Sequence, residues 1–402
     1  MYQNLAILAA FAFLYSAVAG RLEKTPISGA IVAMGIGFAS GPLGLGIFTP
    51  HVDGELLRTL AELTLALVLF TDAANANLSV LKISLKIPER LLLIGLPLTI
   101  LLGFGFGFLV FPGMALFELA VLATMLAPTD AALGKAVVTH PSVPATLRES
   151  LNVESGLNDG ICVPILLVFL TLASDATMGG GGFQLALVLV AQQIGIGAAV
   201  GLGLALAGSW VLKRCAQRQW ITETWQQLPV VALAFVCFAA AQDLGGSGFI
   251  ASFTGGLFFG ALAKEHKHNL LRAAEGAGDT LSIATWMSFG AAVVGQVIGK
   301  FSWPVLIYSL LSLTVVRMLP VYLSLAGSSL KPGSKLFLGW FGPRGLATVV
   351  FAVIVLEHHL PGGQELALTA ACTVILSILA HGFSANPLAA SLGAREGQKQ
   401  ND

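Results

Sequence analysis

The chain has 402 residues, of which 56% are hydrophobic and only 10% charged, and its 21 basic and 21 acidic side chains cancel. About 25% of residues are charged in an average soluble domain, so too few polar side chains are present here to cover a water-soluble globule. Disordered, collagen-like and disulfide-scaffold classes fail on the same composition, and zero net charge gives no reason to expect a nucleic-acid partner. The class that remains is a polytopic membrane protein.

Apolar stretches long enough to cross a bilayer follow one another along the whole chain. A helix of about 20 apolar residues spans the hydrocarbon core, and the need to satisfy backbone hydrogen bonds excludes most other spanning forms. We therefore predict an all-α protein with about thirteen transmembrane helices and no room for a soluble domain. The predicted spans are 3–19, 27–48, 56–74, 91–111, 117–139, 146–172, 183–212, 226–242, 248–263, 280–299, 303–326, 336–356 and 364–385.

Basic residues between these spans alternate between the two sides of the membrane. Seventeen Lys and Arg residues lie on one side, whereas the other side has only Arg58 and Lys300. The positive-inside rule then predicts an outside N-terminus, a cytoplasmic C-terminus and an odd number of spans. The first span does not resemble a typical signal peptide, because its first positive charges, Arg21 and Lys24, follow it. We expect a multi-pass protein of the cell (inner) membrane.

Several charged side chains lie inside predicted spans. Each such charge costs from about 3 to more than 10 kcal/mol unless it is paired or hydrated. Several of them in one chain predict an internal polar site, whereas structural ion pairs alone are the alternative interpretation. The residues are Asp72 at the end of the third span, Asp130 in the fifth, Glu154 and Asp159 in the sixth, Arg317 in the eleventh and Arg344 in the twelfth.

Helical spacing separates the polar residues of the sixth span into two faces. Ser155 and Asp159 are four residues apart, so both can face one cavity. Glu154 lies about 140° around the helix from Asp159 and needs a counter-charge of its own. Spacing leaves open whether that charge is Arg317 or Arg344. Asn158 lies on the Glu154 side and is neutral, so only one member of the adjacent Asn-Asp pair can carry charge.

The fifth and twelfth spans each contain a proline beside a charged residue. Pro128 precedes Thr129 and Asp130, and Pro343 precedes Arg344. Proline interrupts the helical hydrogen-bond ladder, and a charge beside the break can compensate the partial charges of the half-helix ends. Two broken spans in corresponding positions indicate an inverted-repeat transporter with its site near the midplane. Two ordinary proline kinks are the alternative.

Three motifs together resemble the NhaP-type branch of the sodium/proton exchanger family, and the resemblance covers nearly the whole chain. They are PTD at 128–130, ESGLNDG at 154–160 and GPRG at 342–345. The resemblance implies two inverted six-helix repeats, with broken spans 5 and 12 crossing in a mobile core, and a homodimer. We accordingly divide the chain into a first repeat (1–172), a linker helix (173–225), a second repeat (226–393) and a short cytoplasmic tail (394–402).

The resemblance also implies a role for each polar residue of the core. Asp159 carries either the proton or the cation, and Asp130, Ser155 and Thr129 lie beside the ion. Asn158 and Asp72 are further candidates for the ion site, Asp72 by a weaker match. Glu154 pairs structurally with Arg317, and Arg344 is the second structural charge. The Asn-Asp pair implies electroneutral exchange of one ion for one proton.

The predicted function is therefore exchange of sodium or lithium for protons by alternating access. We expect no cofactor and no enzymatic reaction. The expected partners are membrane lipid and a second copy of the chain. Small hard cations prefer oxygen ligands, which these residues supply. Because proton and cation compete for Asp159, neither the bare anion nor a doubly loaded site should cross. A potassium/proton antiporter is the nearest alternative and a cation channel a more distant one. An intramembrane enzyme using Asp130 and Asp159 is a further alternative, although the sequence has no HExxH or nucleophile-elbow motif.

Overall fold

The protein is all-helical in a computed structural model. The residues that the structure describes are 2–22, 25, 28–49, 54–75, 86–130, 133, 137, 140, 142–177, 183–222, 224–263, 267–300 and 302–397. These residues form helices joined by turns, with no strand among them. Each of the thirteen predicted spans contains a helix, so the prediction of an all-α polytopic membrane protein is confirmed.

Fourteen helices are numbered here in chain order, because the twelfth span is divided into two. The helices are α1 (Tyr2–Leu22), α2 (Gly29–Ser40), α3 (Gly54–Asn75), α4 (Lys86–Val110), α5 (Leu116–Met125), α6 (Ala145–Thr177), α7 (Phe183–Gln217), α8 (Leu228–Asp243), α9 (Gly248–Leu262), α10 (Lys267–Phe289, continued by a π-helical turn at Gly290–Val294 and by Gly295–Gly299), α11 (Trp303–Ser324), α12 (Pro332–Trp340), α13 (Leu346–Glu357) and α14 (Gly363–Gly397).

Eight of the described helices are long and apolar enough to cross a membrane. Four shorter apolar helices, α2, α5, α9 and α13, have 10 to 17 residues. Helices α5 and α13 are short because each is one side of a broken span. Helix α5 gives way to irregular backbone at 126–130, and residues 341–345 interrupt the twelfth span between α12 and α13.

The second predicted span, 27–48, is longer than the helix found there. Helix α2 ends at Ser40, and the chain then turns through hydrogen bonds from Gly44 N and Gly46 N to Gly41 O. Gly46 has φ +66°, a left-handed conformation that glycine adopts without strain. Apolar composition alone therefore overestimated this helix. The second half of the predicted fifth span lies mostly outside the described residues.

Two other helices run beyond their predicted limits into polar sequence. Helix α10 begins at Lys267 rather than at 280, and α14 continues to Gly397 rather than ending at 385. Helical hydrogen bonding does not require apolar side chains, so a helix can extend past the hydrocarbon boundary. The predicted tail 394–402 thus begins as helix, and 398–402 lie outside the described residues.

The helices pack as two groups. Helices α4, α5, α6, α11, α12, α13 and α14 pack on one another, and α2, α3, α7, α8, α9 and α10 form the second group. Helices α3, α7 and α9 contact α6 across the boundary. The polar residues of the core are concentrated in the first group, where both broken spans lie.

Candidate functional site

The break in the fifth span begins immediately after α5. Pro128 has no amide hydrogen, so the helix ends at Met125 and residues 126–130 form an irregular segment. This frees the carbonyl groups of Ala127 and Pro128 from the helical ladder. Both carbonyls and Thr129 are buried. Buried backbone groups outside a helix need other partners, and these come from the twelfth span.

The twelfth span breaks at the matching motif. Helix α12 ends at Trp340, residues 341–345 form an irregular segment, and α13 begins at Leu346. A Cβ atom on Gly342 would overlap the Arg317 guanidinium, and one on Gly345 would overlap the Asp130 carboxyl group. Both glycines of GPRG are therefore needed, because charged groups lie directly against the backbone there.

The two breaks cross, and each charged residue contacts the other span. Asp130 N donates to Pro343 O at 2.8 Å, and Asp130 Oδ2 accepts from Leu346 N at 3.2 Å. Arg344 Nη1 donates to Pro128 O at 3.0 Å and also to Ala127 O. Acidic groups stabilise helix N-termini and basic groups stabilise C-termini. The predicted compensation at the half-helix ends is thus present, and it is reciprocal.

Asn158 and Ser155 on α6 hold Thr129. Asn158 Oδ1 accepts from Thr129 N at 3.3 Å, and Asn158 Nδ2 donates to Thr129 Oγ1 at 2.7 Å. Ser155 Oγ donates to Thr129 O at 2.6 Å. All three residues are buried. The amide of Asn158 therefore binds the unwound segment directly, and its contact with an ion stays a prediction.

Asp159 lies on the same helix, one turn after Ser155, and is only 6% exposed. Its Oδ1 atom is buried without a hydrogen-bond partner among the described residues. A buried carboxylate oxygen without a partner is costly, so such an atom is typical of a group that takes up a proton or a ligand. The charges of Asp130 and Asp72 both act on this buried carboxyl group.

Asp72 approaches the site from α3, in the second group of helices. A Cβ atom on Gly156 would lie 3.3 Å from Asp72 O, so the α3 backbone lies directly against α6 beside Ser155. Asp72 is half-buried, and the charges of Glu275 and Asp279 on α10 also act on it. The structure therefore places Asp72 beside the predicted site, at the boundary between the two groups of helices.

Glu154 faces away from Asp159 and forms an ion pair with Arg317 on α11. Arg317 Nη1 lies 2.6 Å from Glu154 Oε1, and Nη2 lies 2.8 Å from Oε2. The pair is buried and bidentate, the strongest geometry for these groups. Of the two arginines that spacing left open, the structure selects Arg317, whereas Arg344 binds backbone carbonyls.

Sequence reasoning missed two buried polar residues on α14 and one on α5. Ser377 Oγ accepts from Arg344 N at 2.7 Å, and His381 Nε2 lies 2.8 Å from Trp340 O. Glu118 accepts from Gly362 N at 2.8 Å. The spacing of Ser377 and His381, four residues apart inside an apolar span, is the signal that could have identified them. Glu118 was visible as an acid in the fifth span.

The site offers oxygen atoms rather than a classical metal cluster. Among the residues that the structure describes, no three His, Cys, Asp or Glu side chains are grouped closely enough to hold a metal ion. The carboxylates of Asp159 and Asp130, the Ser155 hydroxyl and the Thr129 carbonyl lie around one unwound segment. Such a set of hard oxygen ligands is suited to an alkali or alkaline-earth cation.

Two broken spans that cross beside buried acids define a membrane protein of the discontinuous-helix class, an architecture typical of secondary transporters. The chain belongs to the sodium/hydrogen exchanger family, since the description "Sodium/hydrogen exchanger, transmembrane" matches residues 7–391. This confirms the family that the PTD, ESGLNDG and GPRG motifs indicated.

Relatives of the chain include bacterial and fungal antiporters. It is 27% identical over 385 residues to the K(+)/H(+) antiporter NhaP2 of Shewanella sp. (strain MR-4), covering 94% of this chain and 64% of that protein. It is 25% identical over 320 residues to the Na(+)/H(+) antiporter of Schizosaccharomyces pombe, covering 71% and 67%. The chain thus spans somewhat less than two thirds of the length of its bacterial relative.

The fold is also that of a solved structure, the sodium proton antiporter MjNhaP1 from Methanocaldococcus jannaschii at pH 8. The TM-score is 0.79 at 21% identity, covering 95% of this chain and 99% of the other. An electron-microscopy map of MjNhaP1 gives a TM-score of 0.80 at 22% identity, covering 98% of both chains. The path of the helices described above is therefore an antiporter fold.

Proposed function

We propose that this protein exchanges a monovalent cation for protons by alternating access, with both competing for Asp159. The observation that carries the proposal is the buried Oδ1 atom of Asp159, which has no hydrogen-bond partner among the described residues. A proton or a cation can each supply the missing partner. Family membership and the crossed breaks support the same function.

The cation would be bound by Asp159, Asp130, Ser155 and the Thr129 carbonyl, with water completing its shell. The Ser155 hydroxyl donates its hydrogen to Thr129 O at 2.6 Å, which leaves the lone pairs of its oxygen available to a cation. Asn158 would act by holding Thr129 in place. Asp72 would contribute charge beside the site, with its direct contact to the ion left as a prediction.

The coupling of cation transport to proton transport follows from the charge of Asp159. A bare carboxylate is costly to move through a low-dielectric barrier, whereas a carboxylic acid or a carboxylate–cation pair is not. The core would therefore move only when one occupant neutralises Asp159. Since Asn158 is neutral and Glu154 is paired with Arg317, one charge is exchanged per cycle. We accordingly propose electroneutral exchange of one cation for one proton.

Sodium, with lithium as a congener, is our first candidate, because all the proposed ligands are hard oxygen atoms and carboxylates are prominent among them. Potassium is the second candidate. It is favoured by the names of bacterial relatives, which include the K(+)/H(+) antiporters of Shewanella and of Alkalimonas amylolytica. The same oxygen ligands suit either ion, and the radius of the cavity decides between them.

The architecture around the site is proposed in the same way. We infer a cytoplasmic C-terminus and an outside N-terminus in the inner membrane from the distribution of basic residues. We also propose a homodimer in lipid, with inverted repeats at 1–172 and 226–393 joined through 173–225. Cysteine accessibility on the two sides of intact cells and crosslinking in membranes would test these assignments.

The test of the function is a proton-flux assay in proteoliposomes that contain a pH-sensitive dye. Sodium, lithium or potassium is added at several pH values, and dequenching that depends on the cation reports exchange. Liposomes with the Asp159→Asn variant are the control for leak. Current without proton counter-flux would indicate a channel instead. Absence of cation-dependent dequenching across the series would refute the proposed exchange.

A further inference from the structure

The last helix, α14, contacts the twelfth span on both sides of its break. On one side, Arg344 N donates to Ser377 Oγ at 2.7 Å. On the other, the imidazole of His381 lies 2.8 Å through Nε2 from the carbonyl oxygen of Trp340, the last residue of α12. The irregular segment 341–345, which follows Trp340 and contains Arg344, is the one that crosses the fifth span. The two residues of α14 thus fix both of its ends.

Both ring nitrogens of His381 lie against backbone carbonyl oxygens, Nδ1 at 2.8 Å from Ser377 O and Nε2 at 2.8 Å from Trp340 O. Nδ1 also lies 3.1 Å from Ser377 Oγ, which accepts from Arg344 N. In the tautomer with its proton on Nε2, the ring donates to Trp340 O and accepts from the Ser377 hydroxyl. His381 is only 2% exposed, so a ring without nitrogens would leave the buried Ser377 hydroxyl without this acceptor and Trp340 O with its remaining bond from Gly342 N, at 2.8 Å. The imidazole is therefore the link between the two ends.

A further contact ties the same turn to α14. The indole Nε1 of Trp340 donates to Ser384 Oγ at 2.9 Å, and its ring lies on the His381 ring with centroids 5.1 Å apart. Ser377, His381 and Ser384 are spaced i, i+4 and i+7, so they lie on one face of the helix. The hydrogen bond of Ser384 is to the indole of Trp340 and not to the backbone of the break, which makes Ser384 a suitable position for a control.

The connection continues from the break to the proposed ion site. The Arg344 guanidinium binds the carbonyls of Ala127 and Pro128, and the next residue is Thr129, whose carbonyl is a proposed ligand. His381 itself contacts none of the proposed ligands. A shift of Arg344 would be transmitted to Thr129 through these two carbonyls. A ligand held a fraction of an ångström out of place binds its ion more weakly.

We propose that His381 is a positioning residue for the cation site, which acts by holding the break in the twelfth span through Ser377 and Trp340. This inference rests on the proposed function, since it assigns a role within that exchange cycle. It requires that the imidazole nitrogens, rather than the bulk of the ring, maintain the backbone of 341–345 and the affinity for the cation.

The test compares the wild type with His381→Phe, His381→Gln and Ser384→Ala. Phenylalanine fills the space without donors, glutamine restores an amide donor, and the serine variant breaks only the Trp340 indole contact. Three quantities are measured: deuterium uptake by the backbone amides of 341–346, the KM and maximal rate of cation-driven proton flux, and the melting temperature. Should His381→Phe fail to fold, Ser377→Ala removes the adjoining link and takes its place.

We expect His381→Phe to increase deuterium uptake at 341–346 and to raise the KM about fivefold, which corresponds to one lost hydrogen bond, with a smaller change in maximal rate. His381→Gln should restore part of both, and Ser384→Ala should leave both unchanged. A lower melting temperature with unchanged KM and uptake would reduce His381 to a packing residue and overturn the proposal. If the wild type itself shows no cation-driven flux, the proposed function fails, and deuterium uptake alone still decides whether His381 positions the break.

Discussion

Asp130 and Arg344 compensate each other's broken helices. Asp130 Oδ2 accepts a hydrogen bond from Leu346 N at the start of α13, whereas Arg344 donates to Ala127 O and Pro128 O just beyond the end of α5. A helix N-terminus carries about half a positive charge and a C-terminus about half a negative one, so each side chain lies at the end that it stabilises. One carboxylate oxygen of Asp130 is thus already hydrogen-bonded to the start of α13. Asp159, by contrast, has no hydrogen-bond partner for Oδ1 among the described residues.

Asp159→Asn should abolish cation-driven proton flux while the protein remains folded. The amide is nearly the same size as the carboxyl group but takes up neither a proton nor a cation charge. Dequenching in proteoliposomes measures the flux, and size-exclusion chromatography checks the fold. Asp243→Asn, the same change at an exposed position, is the control and should transport normally. Flux at the wild-type level in Asp159→Asn would contradict the assignment.

Apparent sodium affinity should weaken as the pH falls. When a proton and a cation compete for one site, each unit of pH decrease weakens apparent affinity by about tenfold once the proton predominates, and affinity is constant at high pH. The KM for sodium in proteoliposomes across a pH series measures this. An apparent affinity that does not change with pH would rule out competition at one carboxyl group, whatever the absolute rates.

Glu154→Gln should mainly lower stability. Removing one partner of a buried, bidentate ion pair leaves Arg317 uncompensated, which costs about 3–5 kcal/mol in comparable buried pairs. The melting temperature of the purified protein measures the loss. The double variant Glu154→Gln with Arg317→Gln should lose less than the two single losses added together. An unchanged melting temperature with lost transport would instead assign Glu154 to the ion site.

Gly345→Ala should impair both folding and exchange. The added Cβ atom would overlap the Asp130 carboxyl group, so either the break or Asp130 must move. Gly203→Ala on α7 is the matched control, because nothing lies within 4 Å of its Cβ position. In that helix interior alanine should leave stability unchanged or raise it by about 1 kcal/mol. Melting temperature and flux together measure both variants, and equal behaviour of the two would contradict the crossing geometry.

Ser155→Ala and Thr129→Val should differ in their effects, because the first removes a proposed cation ligand and the second removes a hydroxyl that only holds the backbone in place. The Ser155 hydroxyl is a proposed ligand, so its removal should raise the KM for the cation about tenfold or more. The Thr129 hydroxyl accepts from Asn158, whereas the carbonyl of Thr129 is the proposed ligand. Thr129→Val should therefore lower the melting temperature with a smaller change in KM. The reverse order of KM effects would assign the Thr129 hydroxyl to the ion.

Local rules of the sequence predicted the composition of the site. Proline placed both breaks correctly, since the missing amide hydrogen acts on its own turn whatever the rest of the fold does. Helical spacing placed Ser155 and Asp159 on one side of α6 and Glu154 on another. These predictions needed no knowledge of which helices are neighbours.

These local rules could not predict which residues of different helices pair with each other. Spacing indicated that Glu154 needs a counter-charge, but Arg317 and Arg344 were equally available, because helix periodicity says which side chains share a face and not which helix that face meets. The same reason hid the role of Asn158, whose amide binds Thr129 in another span. His381 was overlooked because the sequence does not show that its partners, Ser377 and Trp340, lie at the break in the twelfth span.

The sequence by itself determined that the chain is an all-helical membrane protein with two proline breaks and a few buried charges, because hydropathy, helix period and proline act over one or two turns. Only the tertiary structure decided that the breaks cross, that Asp130 and Arg344 serve each other's helices, and that Oδ1 of Asp159 is left without a partner among the described residues. Those facts depend on contacts between residues some 200 positions apart in the chain, such as Asp130 and Leu346 with a separation of 216. Such contacts arise from the packing of whole helices and are invisible to any local pattern.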